Sequence, residues 1–297
     1  MRRLRSFVLH QPASLQEAVS LLADAGERAR PLAGGTDLLV DMKSGRVRFP
    51  EIVDLKLIEG LDGICRVEGA LQVGPLVRID ALQACGAMRG RYMALWQASR
   101  VLASQSIRHL ATIGGNLGRA SPASDTAAPL LIHGARLVVQ SPEGSREIAI
   151  DEFHRGPGVS CLAGGEIISA IVLPDPPPRT GTSYLKLGRR GGSCDLAVVG
   201  VAAAVTLAEG GIVDSARIAL ASVAPTPVRA HSAEAVLVGG VPDDTALESA
   251  GRAAVADISP ISDVRASAEY RRELAAVLTV RALKSAVASA RGQMGPH

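Results

Sequence analysis

Apolar and polar positions in the first third of the chain follow helix and strand periods in turn. "PASLQEAVSLLADAG" repeats apolar residues every three to four positions, and Ser14 and Glu17 have capping-box spacing. "RARPLA" predicts a short strand, after which Thr36 or Asp37 can cap a second helix through Met42. "EIVDLK" and "GALQVGPLVRI" alternate as strands do. This part therefore predicts helices packed beside short strands.

The middle of the chain is dominated by a helical pattern. It runs from about Asp80 to Leu110 and is strongest in "YMALWQASRVLA". Pro122 suits the first turn of a further helix, "ASDTAAPLLIHG". "ARLVVQSPEGSREIAI" predicts a hairpin, and "EIISAIVLP" predicts another strand. The consecutive prolines of "DPPPRTG" then predict a linker, because proline continues neither a strand nor a helix.

The pattern changes after this linker. "SYLKLGRR", "DLAVVGVAAAVTLA" and "IVDSARIALASV" predict successive strands, with Gly210 and Gly211 turning one hairpin. Two helices follow, around "DTALESAGRAAVA" and "SAEYRRELAAVLTVRALKSAVASA". Strands followed by helices predict an α+β domain with helices on one face of a sheet. We expect the terminal "RGQMGPH" to be disordered.

Length and charge narrow the class of protein. The chain has 297 residues, enough for two or three cores, and 47% of them are hydrophobic. A formal net charge of +3 gives no reason to expect a nucleic-acid partner. No long apolar stretch follows the basic start "MRRLR", so we predict no signal peptide. The longest apolar run, residues 196–208, is shorter than the ~20 residues of a membrane span.

The cysteines give no pattern typical of a metal site. Cys65, Cys85, Cys161 and Cys194 form no C-x-x-C pair and lie near no histidine at zinc-finger spacing. This spacing favours buried or idle thiols in a reducing compartment. We therefore expect no metal or iron–sulfur site on this chain.

Two glycine-containing segments carry the candidate chemistry, "PLAGGTDLL" and "ATIGGNLGRASPASD". Each pairs glycines with a polar residue, Thr36 or Asn116, close to a predicted helix start. Successive N–H groups in such turns can bind an anion, and two turns on one face could hold both phosphates of a dinucleotide. Thr112 and Ser121 add hydroxyl donors. The plainer alternative is that both glycine pairs only allow the chain to turn, since neither segment matches a Rossmann or P-loop motif.

Asp125 and His109 flank the second segment and admit more than one interpretation. A carboxylate repels a phosphate, so Asp125 fits better as an acceptor for a ribose hydroxyl or ring N–H, or as a cap on its own helix. His109 stands at a predicted helix end, where a histidine interacts favourably with the helix dipole. We predict no acid–base pair on this chain.

The order of these motifs resembles the FAD-binding medium subunit of the molybdenum hydroxylases, the xanthine dehydrogenase and carbon monoxide dehydrogenase family. "PLAGGTDLL" resembles the first FAD loop of that family, and "TIGGN" with "ASPASD" resembles the second. "GEIISAIVLP", "YLKLGRR", "DLAVVGVAAA", "APTPVRA" and "YRRELAAVLTVRAL" resemble later family motifs, in the same order. The resemblance covers roughly residues 5–288.

The resemblance implies a fold and its boundaries. It implies an α+β chain with a two-part FAD-binding domain of the molybdopterin-dehydrogenase (PCMH/VAO-like) type over residues 1–176, divided at about 1–55 and 56–176. A C-terminal domain of the CO-dehydrogenase flavoprotein type, an antiparallel sheet with helices, would follow over residues 180–290.

The same resemblance implies a set of FAD-binding residues. The first loop would wrap the pyrophosphate, the second would close its other side, Asp125 would contact the polar end of the cofactor, Ile168 would lie near the adenine, and Lys186 would meet the flavin or its phosphate arm. Leu196 takes the place of a residue that shields the flavin ring in relatives, which implies a more open flavin face. The full set is Leu32, Ala33, Gly34, Gly35, Thr36, Asp37, Leu38, Leu102, Ala111, Thr112, Gly114, Gly115, Asn116, Ser121, Asp125, Ile168 and Lys186.

The function implied by the resemblance is electron transfer within a larger enzyme. Electrons would pass from iron–sulfur clusters on a small subunit through FAD to an external acceptor, while molybdenum would lie on a large molybdopterin subunit. We expect a dimer of such heterotrimers in the cytoplasm, with no catalytic or metal-binding residue on this chain. A stand-alone FAD-dependent oxidase or dehydrogenase, or a binding module that has lost its cofactor, remains an alternative.

Overall fold

The computed structural model describes residues 4–189 and 195–292, and its N-terminal layer is a small parallel sheet. The strand order is β1-β3-β2, and α1 packs on this sheet. Ser14 begins α1 by accepting a hydrogen bond from the Glu17 amide, and Gly26 ends it at a φ of 56°, as the sequence predicts. The elements of this layer are β1 Val8–His10, α1 Leu15–Ala25, β2 Ala29–Leu32, α2 Leu38–Ser44 and β3 Glu51–Asp54.

The central layer is an antiparallel sheet with short helices around it. Its strand order, β4-β5-β10-β6-β7, places β10 between the two hairpins. The hairpin β6–β7 and the strand β10 confirm the sequence prediction. The elements are β4 Ile64–Val67, β5 Ala70–Val73, α3 Ile79–Ala84, α4 Met93–Val101, α5 Gln105–Arg108, α6 Ile113–Gly118, α7 Ala127–His133, β6 Arg136–Ser141, β7 Gly144–Ala149, α8 Ile150–Phe153, β8 His154–Gly156, β9 Val159–Ser160 and β10 Ile167–Pro174.

The C-terminal layer is a second antiparallel sheet, in the order β11-β12-β13-β14. Helices α9, α10 and α11 follow the strands, and α11 crosses β11 and β12. Gly181 lets this helix approach closely, because a Cβ atom there would overlap the Ala286 carbonyl oxygen. The elements are β11 Thr180–Gly188, β12 Ala197–Leu207, β13 Val213–Ala221, β14 Val228–Arg229, α9 His231–Leu237, α10 Asp244–Ala253 and α11 Ala268–Ala290.

Strand β12 explains the longest apolar run of the sequence. Every residue of β12 is buried, because α11 covers one face of its sheet and α7 of the central layer covers the other. Val201 and Val205 enter one hydrophobic core, whereas Ala202 and Ala204 enter the core of the central layer. The sequence of a strand that is covered on both faces is a continuous apolar run instead of an alternation of apolar and polar residues. The central and C-terminal layers are therefore packed together through this sheet, and the expected α+β arrangement is confirmed.

The helical pattern predicted over residues 80–110 is interrupted in the structure. Helices α3, α4 and α5 share this segment with turns that contain Gly90 and Ala103, both at positive φ (93° and 46°). A residue in the left-handed region ends an α-helix, so the periodicity correctly finds the buried faces but misses the breaks.

The prediction that Pro122 begins a helix is wrong. The helix α7 begins at Ala127, and residues 121–126 form turns in which the Ser121 hydroxyl accepts from the Ala123 amide. The strand β4 and the helix α9 were not predicted, so the C-terminal strands are followed by three helices within the described residues, not two. The segment "RGQMGPH" lies mostly outside the described residues, as does Cys194.

His133 lies in the central core, in surroundings that strongly disfavour its charged form. Its ring is buried and packs edge-on against Tyr92, with the ring centroids 5.2 Å apart. Burial, reinforced by the charge of Arg217, lowers the pKa of His133 from 6.5 to about 4. The native state therefore holds His133 neutral at a pH where the unfolded chain protonates it.

We expect this histidine to make the fold acid-sensitive. Between about pH 6.5 and about pH 4 the unfolded state binds more protons, so the free energy of unfolding falls as the pH falls, by up to about 3 kcal/mol from this residue. His133→Phe should make the pH dependence measured by urea unfolding shallower, and the slope that remains includes His154, whose pKa burial also lowers to about 4. An equal pH slope in His133→Phe would contradict this assignment.

Candidate functional site

The three layers meet around a cavity of about 840 Å³, within the range of ligand pockets of roughly 300–1,000 Å³. Asp195, Leu196 and Arg265 reach it from the C-terminal layer. All but one of the residues selected from the sequence line this cavity: Leu32, Ala33, Gly34, Gly35, Thr36, Asp37, Leu38, Leu102, Ala111, Thr112, Gly114, Gly115, Asn116, Ser121, Asp125 and Ile168. Lys186 does not appear in the described part of the lining.

The first glycine segment, residues 32–38, connects β2 to α2 and packs against the backbone of the second segment. A Cβ atom on Gly34 would overlap the carbonyl oxygen of Leu110. Gly35 has a φ of 73°, in the left-handed region that favours glycine. Both glycines are therefore required by the local backbone before any ligand is considered.

The amides of residues 34–38 give this segment its binding capacity. Within the described parts of the chain, none of these five N–H groups donates a hydrogen bond, and the first donor is Leu39, to the Gly35 carbonyl at 3.1 Å. Asp37, which precedes α2, makes no side-chain cap. A run of unpaired N–H groups along a cavity wall can bind an anion such as a diphosphate.

The second glycine segment differs from its sequence prediction. Residues 113–118 form the helix α6, which Thr112 begins by accepting a hydrogen bond from the Gly115 amide at 3.0 Å. The Gly114 amide donates to Pro75 at 2.8 Å, and the Asn116 amide donates to Thr112 at 2.9 Å. The expectation that both segments present unpaired N–H groups is therefore wrong for the second segment.

Asn116 supplies a side-chain donor instead. Its Oδ1 accepts hydrogen bonds from the hydroxyls of Ser124 and Thr126, both at 2.6 Å. These bonds fix the amide, and its Nδ2 donates to no other residue in the described ranges. Because Asn116 lines the cavity, this NH₂ group is available to a ligand.

An ion pair also joins the two glycine segments. Asp41 of α2 is buried and lies 3.2 Å from the Arg119 guanidinium, just after α6. Arg46 approaches the same carboxylate at 2.8 Å. No pattern in the sequence indicated this contact, because acidic and basic residues at these spacings are common on solvated helix faces.

Asp125 lines the cavity, and each of its carboxylate oxygens accepts a hydrogen bond from another side chain. Tyr184 donates its hydroxyl to Oδ1 at 2.7 Å, and the Lys186 ammonium lies 2.9 Å from Oδ2. Burial raises the pKa of Asp125, and Lys186 opposes that rise. Tyr184 was missed in the sequence, although its spacing of two from Lys186 places both side chains on one face of a strand.

Leu102, Ile168 and Leu196 belong to the apolar part of the cavity wall, and His109 lies outside it. Leu102, beside Ala103, and Ile168 of β10 are buried, whereas Leu196 is 53% exposed at the C-terminal side of the cavity. His109 ends α5, as predicted, and pairs with Asp80 at 2.6 Å outside the lining.

Residues 4–189 and 195–292 contain neither a metal-ligand cluster nor a membrane-spanning helix. No group of three or more potential ligands among His, Cys, Asp and Glu lies together there. Cys65, Cys85 and Cys161 are free thiols; Cys65 is exposed, and the other two are partly buried. In the same ranges no helix has both the length and the hydropathy needed to cross a membrane.

Comparison with known proteins gives matches over nearly the whole chain. Residues 5–176 match the FAD binding domain in molybdopterin dehydrogenase, and residues 183–286 match the CO dehydrogenase flavoprotein C-terminal domain. The carbon monoxide dehydrogenase medium chain of Afipia carboxidovorans is 38% identical over 96% of this chain and 98% of its own length. The xanthine dehydrogenase FAD-binding subunit of Escherichia coli O157:H7 is 34% identical over 96% and 97%.

A solved structure shows the same similarity in three dimensions. One chain of the reconstituted CO dehydrogenase from Oligotropha carboxidovorans superposes with a TM-score of 0.92 at 36% identity. The alignment covers 97% of this chain and 99% of that chain.

We expect Gly34→Ala to disturb the junction of the two glycine segments. The added methyl group would overlap the Leu110 carbonyl, and backbone atoms cannot move aside as a flexible side chain can. Thermal unfolding should show a loss of stability of about 1–3 kcal/mol. Gly63→Ala is the control, because nothing lies within 4 Å of its Cβ position. Equal melting temperatures for the two variants would contradict the close contact between the segments.

Proposed function

We propose that this chain, which belongs to the family of FAD-binding medium subunits of the molybdenum hydroxylases, holds FAD in the cavity with the diphosphate against residues 34–38. The chain is the flavoprotein subunit of an oxidoreductase and transfers electrons from iron–sulfur clusters on a partner to an external acceptor. The run of five unpaired amides along the cavity, within the described residues, is the observation that carries the proposal.

The residues present fit this cofactor. A diphosphate needs several N–H donors at close range, which glycine backbone supplies without a side chain in the way. Asn116 adds its NH₂ group, and Thr36 adds a hydroxyl that makes no hydrogen bond within the described residues. Leu102 and Ile168 provide apolar walls suited to ring systems. FAD, when bound, supplies the capacity to accept and release electrons.

The other residues of the set receive more specific roles in the proposal. Thr112, Gly114 and Gly115 shape the second wall, because their hydrogen bonds hold α6 in place beside the first segment. Asp125 offers an acceptor to the polar end of the cofactor, and Ile168 lies on the adenine side. This chain contributes binding and electrostatics, and we assign it no general acid or base.

The proposed assembly follows from the relatives. The names "medium chain" and "FAD-binding subunit" belong to proteins of multi-subunit enzymes, which supports a small iron–sulfur partner and a large molybdopterin partner for this chain. The family resemblance supports a dimer of such heterotrimers. The free thiols of Cys65, Cys85 and Cys161 support a reducing compartment, and we propose the cytoplasm.

We also propose the domain boundaries expected from the sequence. The FAD-binding domain comprises residues 1–176, with subdomains at about 1–55 and 56–176, and the C-terminal domain comprises residues 180–290. The separate sheets of the three layers support this division. The proline-containing segment between β10 and β11 supports the boundary between the domains.

A titration with FAD tests the proposed function. The flavin-free full chain should bind one FAD per chain, and Gly118→Leu should weaken binding at least about tenfold by placing an apolar side chain at the cavity wall. Nothing lies within 4 Å of the Gly118 Cβ position, so the melting temperature should change little. Gly86→Leu, equally unhindered but outside the lining, is the matched control.

Two results would count against the proposal. The first is wild-type protein that takes up no FAD, and the second is Gly118→Leu that binds FAD as tightly as Gly86→Leu does. The native complex supplies an independent check, because its visible spectrum should contain flavin and iron–sulfur bands, and metal analysis should find molybdenum in the partner chains.

A further inference from the structure

Lys186 is a buried cation next to the cavity but outside its described lining. Its side chain is 2% exposed. The ammonium donates to the Val101 carbonyl at 2.6 Å, to Asp125 Oδ2 at 2.9 Å and to the Asp195 carbonyl at 3.1 Å. These acceptors belong to three segments that are far apart in sequence.

Each of these segments continues into the cavity wall. Val101 is followed by Leu102, Asp195 is followed by Leu196, and Asp125 itself lines the cavity. Lys186 lies on β11 of the C-terminal layer. Its ammonium group therefore connects that layer by hydrogen bonds to the segments that form the cavity wall. Burying a cation is costly, and it is tolerated where several acceptors satisfy it, as they do here.

The negative charge of Asp125 bears on the affinity of the cavity for FAD, because the Lys186 ammonium lies next to it. A carboxylate in the wall of a site that holds a diphosphate would repel the ligand, most strongly in a buried region where solvent screens little. The Lys186 ammonium and the Tyr184 hydroxyl both face this carboxylate, and both lie on β11. The other charged residues of the described lining are Arg30, Asp37, Asp41, Arg46, Arg119, Glu166, Asp195 and Arg265.

We propose that Lys186 is a positioning residue that neutralises Asp125 and anchors the cavity wall, rather than a direct contact of FAD. The inference rests on the proposed function, because it concerns the affinity of the same cavity for FAD. It differs from the role implied by the family resemblance, in which Lys186 meets the flavin or its phosphate arm. The low exposure of the side chain and its three acceptors among the described residues favour the positioning role.

The two roles differ in how affinity should depend on pH. In Lys186→Met, Asp125 loses its counter-charge, and burial then raises the pKa of this carboxyl without opposition from a cation. The ionised carboxylate at higher pH should repel FAD, and protonation at lower pH should remove that repulsion. FAD affinity of this variant should therefore increase as the pH falls through the titration of this carboxyl.

The test compares the FAD dissociation constants of full-length, flavin-free variants at a series of pH values at which wild type stays folded. Lys186→Met should bind FAD about tenfold or more weakly at the upper end and recover at the lower end. The double variant Lys186→Met/Asp125→Asn removes both charges and should bind FAD within about threefold of Asp125→Asn alone, without the pH dependence of Lys186→Met. Arg229→Met breaks a partly buried pair with Glu234 outside the lining and should affect stability but not this pH profile.

The outcomes separate the inference from the proposed function. Loss of FAD binding in wild type would overturn the proposed function itself. If wild type binds FAD but both Lys186 variants are weakened equally at every pH, Lys186 contacts the cofactor directly and the inference is wrong. If Lys186→Met does not fold, the double variant decides by comparison with Asp125→Asn alone: equal affinities for FAD support the inference, and a further loss beyond about tenfold overturns it.

Discussion

The site depends on one steric constraint, the close contact between the backbones of its two glycine segments. Gly34 lies against the Leu110 carbonyl with no room for a side chain, and Gly115 lies near the Ala33 methyl group. The pair Asp41–Arg119 holds the neighbouring helices together. This contact brings the start of α2 to the edge of α6, and the amides of residues 34–38 are left along the cavity without a partner among the described residues.

The C-terminal layer completes the cavity through packing and charge. Strand β12 is buried on both faces, so this layer cannot be removed without exposing the core beneath α7. Lys186 extends that connection to the wall, where it meets Asp125 and two backbone carbonyls. In the proposed role, this buried cation offsets the repulsion between the Asp125 carboxylate and a bound diphosphate.

Much of the fold follows from periodicity, and the parts that do not follow have physical reasons. The helix after Ser14 and the hairpin β6–β7 follow local patterns that the tertiary structure reinforces. The start of α7 was misplaced because hydroxyls of residues 124 and 126 bond to Asn116, a contact that no local pattern encodes. The glycines of the sequence located the cavity, but they could not show that the second segment uses its amides internally, since that depends on Pro75 and the Thr112 cap.

The central claim is that residues 34–38 supply the unpaired amides that bind FAD. Amide hydrogen exchange of the full chain, with and without FAD, tests it most directly. The account predicts rapid exchange at residues 34–38 in the flavin-free protein and strong protection with FAD, while the amides of 113–116, already hydrogen-bonded, change little. Protection confined to 113–116, with no change at 34–38, would contradict it.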